Sequence, residues 1–204
     1  MNLVLLVGES DARSFEEKLA SALPGAFRAA ALPCEDWNRD LSPWAAPRAF
    51  KKGADFAGGA PAFLPEAEKA LKNAEAALGE TPAHRIIAGY SLAGLFALWA
   101  LYQTPLFDCA ACASPSLWYP GFGEFMASHA ILAPGPRVAL SLGDLEEKTR
   151  NPVLASVGDG VRAARARLAS SGVKCTLRTE AGGHFQDAED RTVRAVLDLF
   201  KPDV

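Results

Sequence analysis

Along the chain, short apolar runs alternate with longer stretches in which apolar residues recur every three or four positions, a pattern that predicts strands and helices in turn. Leu3 to Val7, Phe27 to Leu32, Ile86 to Ala88, Phe107 to Ala113, Arg137 to Gly143 and Val173 to Glu180 read as strands. Phe15 to Leu23, Leu64 to Leu78, the stretch from Leu92 to Leu101, Val153 to Ser171 and Arg191 to Phe200 read as helices. Pro24-Gly25, Gly79 and Gln103-Thr104-Pro105 punctuate them, because proline cannot continue a helix and glycine accepts the left-handed turn that ends one. Strands alternating with helices predict an α/β three-layer sandwich: a mostly parallel sheet with helices on both faces and its functional residues outside the carboxyl ends of the strands.

Polar and aromatic connections interrupt this rhythm at Pro33 to Trp44 and Ser114 to Gly123. Trp37, Arg39, Trp44 and Trp118 in these loops are candidates to line a substrate pocket, although aromatic loop residues serve equally to pack a loop onto the body, with Arg39 and Asp40 tying it down. Gly58-Gly59 is not a phosphate loop, since the lysine, the hydroxyl residue and the preceding strand are missing.

The most informative stretch is His84 to Gly94, where the strand Ile86 to Ala88 gives way to helix at Ser91. A serine on a sharp strand-to-helix turn needs small residues on either side, here Gly89 and Ala93, and is then lifted clear of the sheet as a nucleophile elbow. The NH of Leu92, at the N-terminus of the helix, is one expected oxyanion donor; the other is expected from the loop after the first strand, at Glu9 or a neighbour. A serine before a helix is also an ordinary cap, so the reading needs a base. Of the three histidines, His84 lies at the far end of the elbow strand and His129 has no turn to aim it. His184 follows Gly182-Gly183 at a strand end. The partner acid that would orient the imidazole is open among Asp144, Glu146 and Glu147.

With 204 residues, half of them apolar, and a formal net charge of -3, the chain is expected to form one domain over residues 1–204, with no electrostatic attraction to nucleic acid. The apolar run at Leu3 to Val7 is too short for a signal peptide or a membrane span. Cys34, Cys109, Cys112 and Cys175 sit in apolar surroundings, so buried reduced thiols and a cytoplasmic location are expected. Cys109-x-x-Cys112 lacks the second ligand pair of a zinc site, and neither metal nor cofactor is implied.

Gly89 to Trp118, with Gly-Tyr-Ser-Leu-Ala-Gly at its start and Ser-Pro-Ser-Leu-Trp at its end, resembles the esterase family of alpha/beta-hydrolases that includes enterochelin esterases and esterase D. Arg39-Asp40-Leu41-Ser42-Pro43 is similar to a loop of that family, and Gly182-Gly183-His184 to its histidine turn. The resemblance implies a compact alpha/beta-hydrolase fold lacking the first strands, with Ser91 as nucleophile, His184 as base and, through Gly143-x-x-Glu146, Glu146 as the acid. Ala93, in place of the second elbow glycine, departs from the pattern. The expected activity is hydrolysis of a small ester, with a thioester or a siderophore-type ester as alternative substrates. A catalytically silent binding or scaffolding protein on the same fold is the alternative.

Overall fold

The computed structural model describes residues 1–201. Six parallel strands, β1 (Asn2–Val7), β2 (Phe27–Leu32), β5 (Arg85–Tyr90), β6 (Cys109–Ala113), β7 (Arg137–Gly143) and β8 (Lys174–Glu180), form one sheet in the order β2-β1-β5-β6-β7-β8. Two short strands, β3 (Ala45–Ala46) and β4 (Phe56–Ala57), pair antiparallel outside it. The inner strands are apolar on both faces, as parallel strands covered by helices must be: every residue of β6 is buried. Alternation then sorts side chains between two cores. Val4 and Leu6 pack toward α1 (Arg13–Ala22) and α8 (Ala188–Asp198), whereas Leu3, Leu5 and Val7 pack toward the opposite face, which α3 (Ala60–Leu78), α4 (Leu92–Ala100) and α7 (Val157–Ser170) cover.

Helix α4 is buried along its whole length, Leu92 to Ala100. A helix apolar all round is stable only inside a core, and here it is wedged behind the centre of the sheet. At the edge strand β2, the backbone NH of Ala29 is taken by the Glu16 carboxylate at 2.7 Å. No helix among the described residues is long and apolar enough to cross a membrane.

Two helices differ from the periodicity-based expectation. α3 starts at Ala60 rather than Leu64, because Pro61 in the first turn needs no NH and Pro65 costs one intrahelical bond that the rest of the long helix outweighs. The single helix expected over Val153 to Ser171 is divided at Ser156 into α6 (Pro152–Ala155) and α7. Asn151 starts the first piece by accepting from the NH groups of Val153 and Leu154. The glycines at the start of α7 have a packing role: a Cβ on Gly158 would collide with the Glu147 carboxylate, and one on Gly160 with the Leu117 carbonyl. Between Trp37 and Ala155 the remaining short elements are α2 (Trp37–Asp40), α5 (Phe122–Ser128) and a 3-10 turn, Glu146–Lys148.

Candidate active site

Four consecutive strands release polar residues at their carboxyl ends: Ser91 after β5, Ser114 after β6, Glu146 after β7 and His184 after β8. Ser91 stands at φ 56°, a conformation L residues rarely adopt, and so does Ser114 at φ 43°. Such backbone costs on the order of 1–3 kcal/mol and persists only where its surroundings enforce it. Around Ser91 the enforcement is visible. A Cβ on Gly89 would lie 2.6 Å from the Ala93 backbone, so strand and helix close to a separation that only glycine permits, and the Ala93 methyl fits because Gly89 has no side chain.

The Ser91 Oγ lies 2.9 Å from Nε2 of His184, whose Nδ1 lies 2.7 Å from Oε2 of Glu146. An ionised carboxylate only accepts, so Nδ1 carries the imidazole proton and Nε2 is left as the acceptor for the serine O–H. The Ser116 hydroxyl is 3.3 Å from the Ser91 Oγ. Glu146 is held on its other oxygen: Oε1 accepts from the Ser114 hydroxyl (2.6 Å), the Gly143 NH (2.8 Å) and the Arg191 guanidinium (2.9 Å). Burial works to raise the Glu146 pKa, but hydrogen bonds from His184, Ser114 and Gly143 outweigh it and hold the carboxyl below its ordinary value.

Arg191 was not singled out by the sequence reading, yet it ties the site together. It is fully buried, and besides Glu146 it donates to the Ser114 hydroxyl (3.1 Å), the Tyr90 hydroxyl (3.3 Å) and the Ala181 carbonyl (2.8 Å). Tyr90 in turn donates to the His184 carbonyl at 2.5 Å, so one guanidinium braces both the acid and the histidine turn. A signal for it existed. Arg191 shares the helical phase of Ala195 and Leu199 on the apolar stripe of α8, and a cation in a buried stripe requires an anionic partner.

The other sequence candidates separate clearly. Asp144 does not reach His184; its carboxylate accepts from the Gly182 NH at 2.8 Å and so pins the glycine turn. Glu147 pairs with Arg162 at 2.9 Å. His84, at the opposite end of β5, has Nδ1 2.6 Å from Asp108, and His129 stacks on Phe125. Arg39 is engaged with Asp40 at 2.6 and 2.9 Å and stays outside the Ser91 cavity, while Trp44 donates to the Pro120 carbonyl and packs among Tyr119, Phe122 and Phe125. Trp37 and Trp118 do line the cavity, as does Leu92; Glu9 is not among the lining residues. At the exit of β1 the Trp37 ring covers Gly8, where a Cβ would lie 2.5 Å from the indole. The Glu9 carboxyl is held above its ordinary value by partial burial and by Glu189. All four cysteines are free, and burial pushes the Cys109 and Cys175 thiols up to about 12.

The cavity above Ser91 has a volume of about 350 Å³. Its wall is largely apolar, built from Trp37, Phe50, Phe56, Trp118, Leu154 and Val157, with Ser91, Ser116 and His184 at its floor and side. Few polar groups converging in an apolar cleft is the usual composition of a small-molecule site.

No protein-family model matches the chain, and no curated protein matches it significantly. Solved structures do. A siderophore hydrolase, EstA from Aspergillus nidulans, aligns with TM-score 0.74 and 22% identity over 97% of this chain and 82% of its own. An IroE-like serine hydrolase from Shewanella oneidensis aligns with TM-score 0.74 and 19% identity over 99% and 72%. SOBER1 from Arabidopsis thaliana aligns with TM-score 0.60 and 20% identity over 98% and 99%. At such identities the shared property is the fold, a parallel six-stranded sheet with flanking helices of the alpha/beta-hydrolase type.

Proposed function

We propose that the protein is a serine hydrolase that cleaves carboxylic esters through an acyl-enzyme on Ser91. The observation that carries this reading is the unbroken chain of contacts from Ser91 Oγ through the His184 imidazole to the Glu146 carboxylate, at 2.9 and 2.7 Å. A serine hydroxyl is a weak nucleophile until a base removes its proton during attack, and His184 Nε2 is within reach to do so. Glu146 fixes the tautomer and stabilises the imidazolium that forms. As the carbonyl oxygen becomes anionic it is received by the NH of Leu92, which helical geometry leaves without an intrahelical partner and which sits at the positive end of α4. His184 then delivers the proton to the departing alcohol, and water attacks the acyl-serine by the same route in reverse. The printed names of the structural neighbours, a siderophore hydrolase and a serine hydrolase among them, support hydrolysis by a serine nucleophile. Four free cysteines support action in a reducing compartment, which we take to be the cytoplasm.

Intact-mass measurement after treatment with a fluorophosphonate tests the proposal. A single adduct is expected on the native chain and none on Ser91→Ala or His184→Ala; an unlabelled native chain would overturn it.

A further inference from the structure

Seven large apolar side chains are exposed among the described residues, and three of them, Phe50 (49%), Leu145 (49%) and Phe185 (91%), line the Ser91 cavity. A phenyl ring left almost wholly in water contributes nothing to the fold; contact with a bound ligand would bury it. Phe185 follows His184 directly, its ring edge-on to the imidazole at 5.3 Å between centroids. Leu145 precedes Glu146, and its backbone NH donates to the Gly182 carbonyl of the histidine turn at 3.2 Å. Elsewhere on the lining, Trp118 stands against Phe50 and Phe56 with ring centroids 6.5 and 5.9 Å apart.

Chemistry assigns the two ends of the substrate. The His184 Nε2 must hand its proton to the leaving oxygen, so the alcohol moiety lies against the imidazole, in the part of the cavity lined by the histidine turn's Phe185 and by Leu145. With the carbonyl oxygen turned to the Leu92 NH, the acyl group is left to the aromatic wall. Of the fifteen lining residues only Glu146 and His184 are ionisable, and neither lysine nor arginine is present. An anionic ester would find no countercharge on this lining.

We infer that the site takes an uncharged ester of an apolar alcohol, its alcohol moiety seated on Phe185 and Leu145 and its acyl group on the wall of Phe50, Phe56 and Trp118. The inference rests on the reading of Ser91 as acyl-accepting nucleophile. In that reaction the bond from Ser91 Oγ to the acyl carbon forms, the bond from acyl carbon to alcohol oxygen breaks, and the serine proton passes through His184 to the alcohol.

Methyl, benzyl and 4-carboxybenzyl butyrate share an acyl group and differ little in intrinsic reactivity, so kcat/KM measured by pH-stat titration isolates the alcohol subsite. Benzyl butyrate is expected to exceed methyl butyrate at least tenfold and the carboxylated ester at least tenfold. Phe185→Ser and Leu145→Ser are expected to lose several-fold more on the benzyl ester than on the methyl ester, chiefly through KM. A flat series, a preference for the carboxylate, or equal losses on both esters would overturn the inference while leaving a fluorophosphonate-labelled Ser91 standing. Absence of both labelling and turnover would remove the hydrolase reading and the inference together.

Discussion

Glu146 is asked to do two things at once, and its two oxygens divide the work. One orients His184; the other neutralises a fully buried arginine. The two tasks predict different failures. Glu146→Gln keeps the shape but puts an amide against His184 Nδ1, so kcat should fall by on the order of 10³ to 10⁴, as loss of a triad carboxylate generally does. Arg191→Met leaves the serine, histidine and acid chemically intact but strands a buried carboxylate, which should cost about 3 kcal/mol of stability. It should also shift the acidic limb of the kcat/KM profile upward, because Glu146 then protonates more easily. Urea denaturation and pH–rate profiles separate the two, and Arg191→Lys should restore part of the lost stability. An Arg191→Met variant as stable as the native chain would show that the guanidinium braces nothing. His184 is legible in the sequence as a candidate base because two glycines and a strand end frame it. Arg191 was passed over because its role depends on four partners from four separate segments.

At the level of elements, the strand-and-helix alternation was legible because parallel strands buried on both faces are written as unbroken apolar runs, and β5 with α4 is the clearest case. What the pattern did not give were boundaries set by close contacts. Ser156 divides α6 from α7 with no proline to announce it, and the glycines that follow read as weak helix formers when their function is to let α7 approach the Glu146–Lys148 turn and the Leu117 loop. Gly158→Ala improves helix propensity by up to about 1 kcal/mol. Overpacking should outweigh that gain, with a net loss of about 1–2 kcal/mol and a displaced Glu147. Thermal melts of the single substitution against Gly158→Ala/Glu147→Ala check this, since removing the carboxylate should recover the gain in propensity. In the candidate site, Trp37 and Trp118 were recognisable as aromatic loop residues, but which tryptophans enter the cavity was not. Trp44 sits in the same loop as Trp37 and packs inward against α5 instead.

For the whole molecule, acid is the expected weak point. Several carboxylates are held below their ordinary values: Glu146 by the hydrogen bonds that outweigh its burial, Asp198 where Arg178 and Lys201 outweigh the same penalty, and Asp40 through Arg39. A carboxyl whose folded pKa is depressed binds fewer protons in the native chain than in the unfolded one. Its contribution is therefore complete above the unfolded value of about 4 and is lost as pH falls through the lower folded value. Stability should be level from neutral pH to about pH 5 and fall steeply below about pH 4. Urea titrations across that range test it, and Asp198→Asn should flatten the acid slope. A slope that is unchanged in this variant would place the acid sensitivity elsewhere.

The edge strand β2 has a consequence of a different kind. Parallel sheets that stop at an open strand invite a further strand from another molecule, and the unpaired backbone of β2 is such an invitation. Here the Glu16 carboxylate already occupies the outward NH of Ala29, and Arg28 is an exposed charge on the same strand. A newcomer would have to displace a charged acceptor with a neutral carbonyl, at a net loss. One side chain from α1 thus acts as a stopper at this edge, set against the addition of a further strand beside β2.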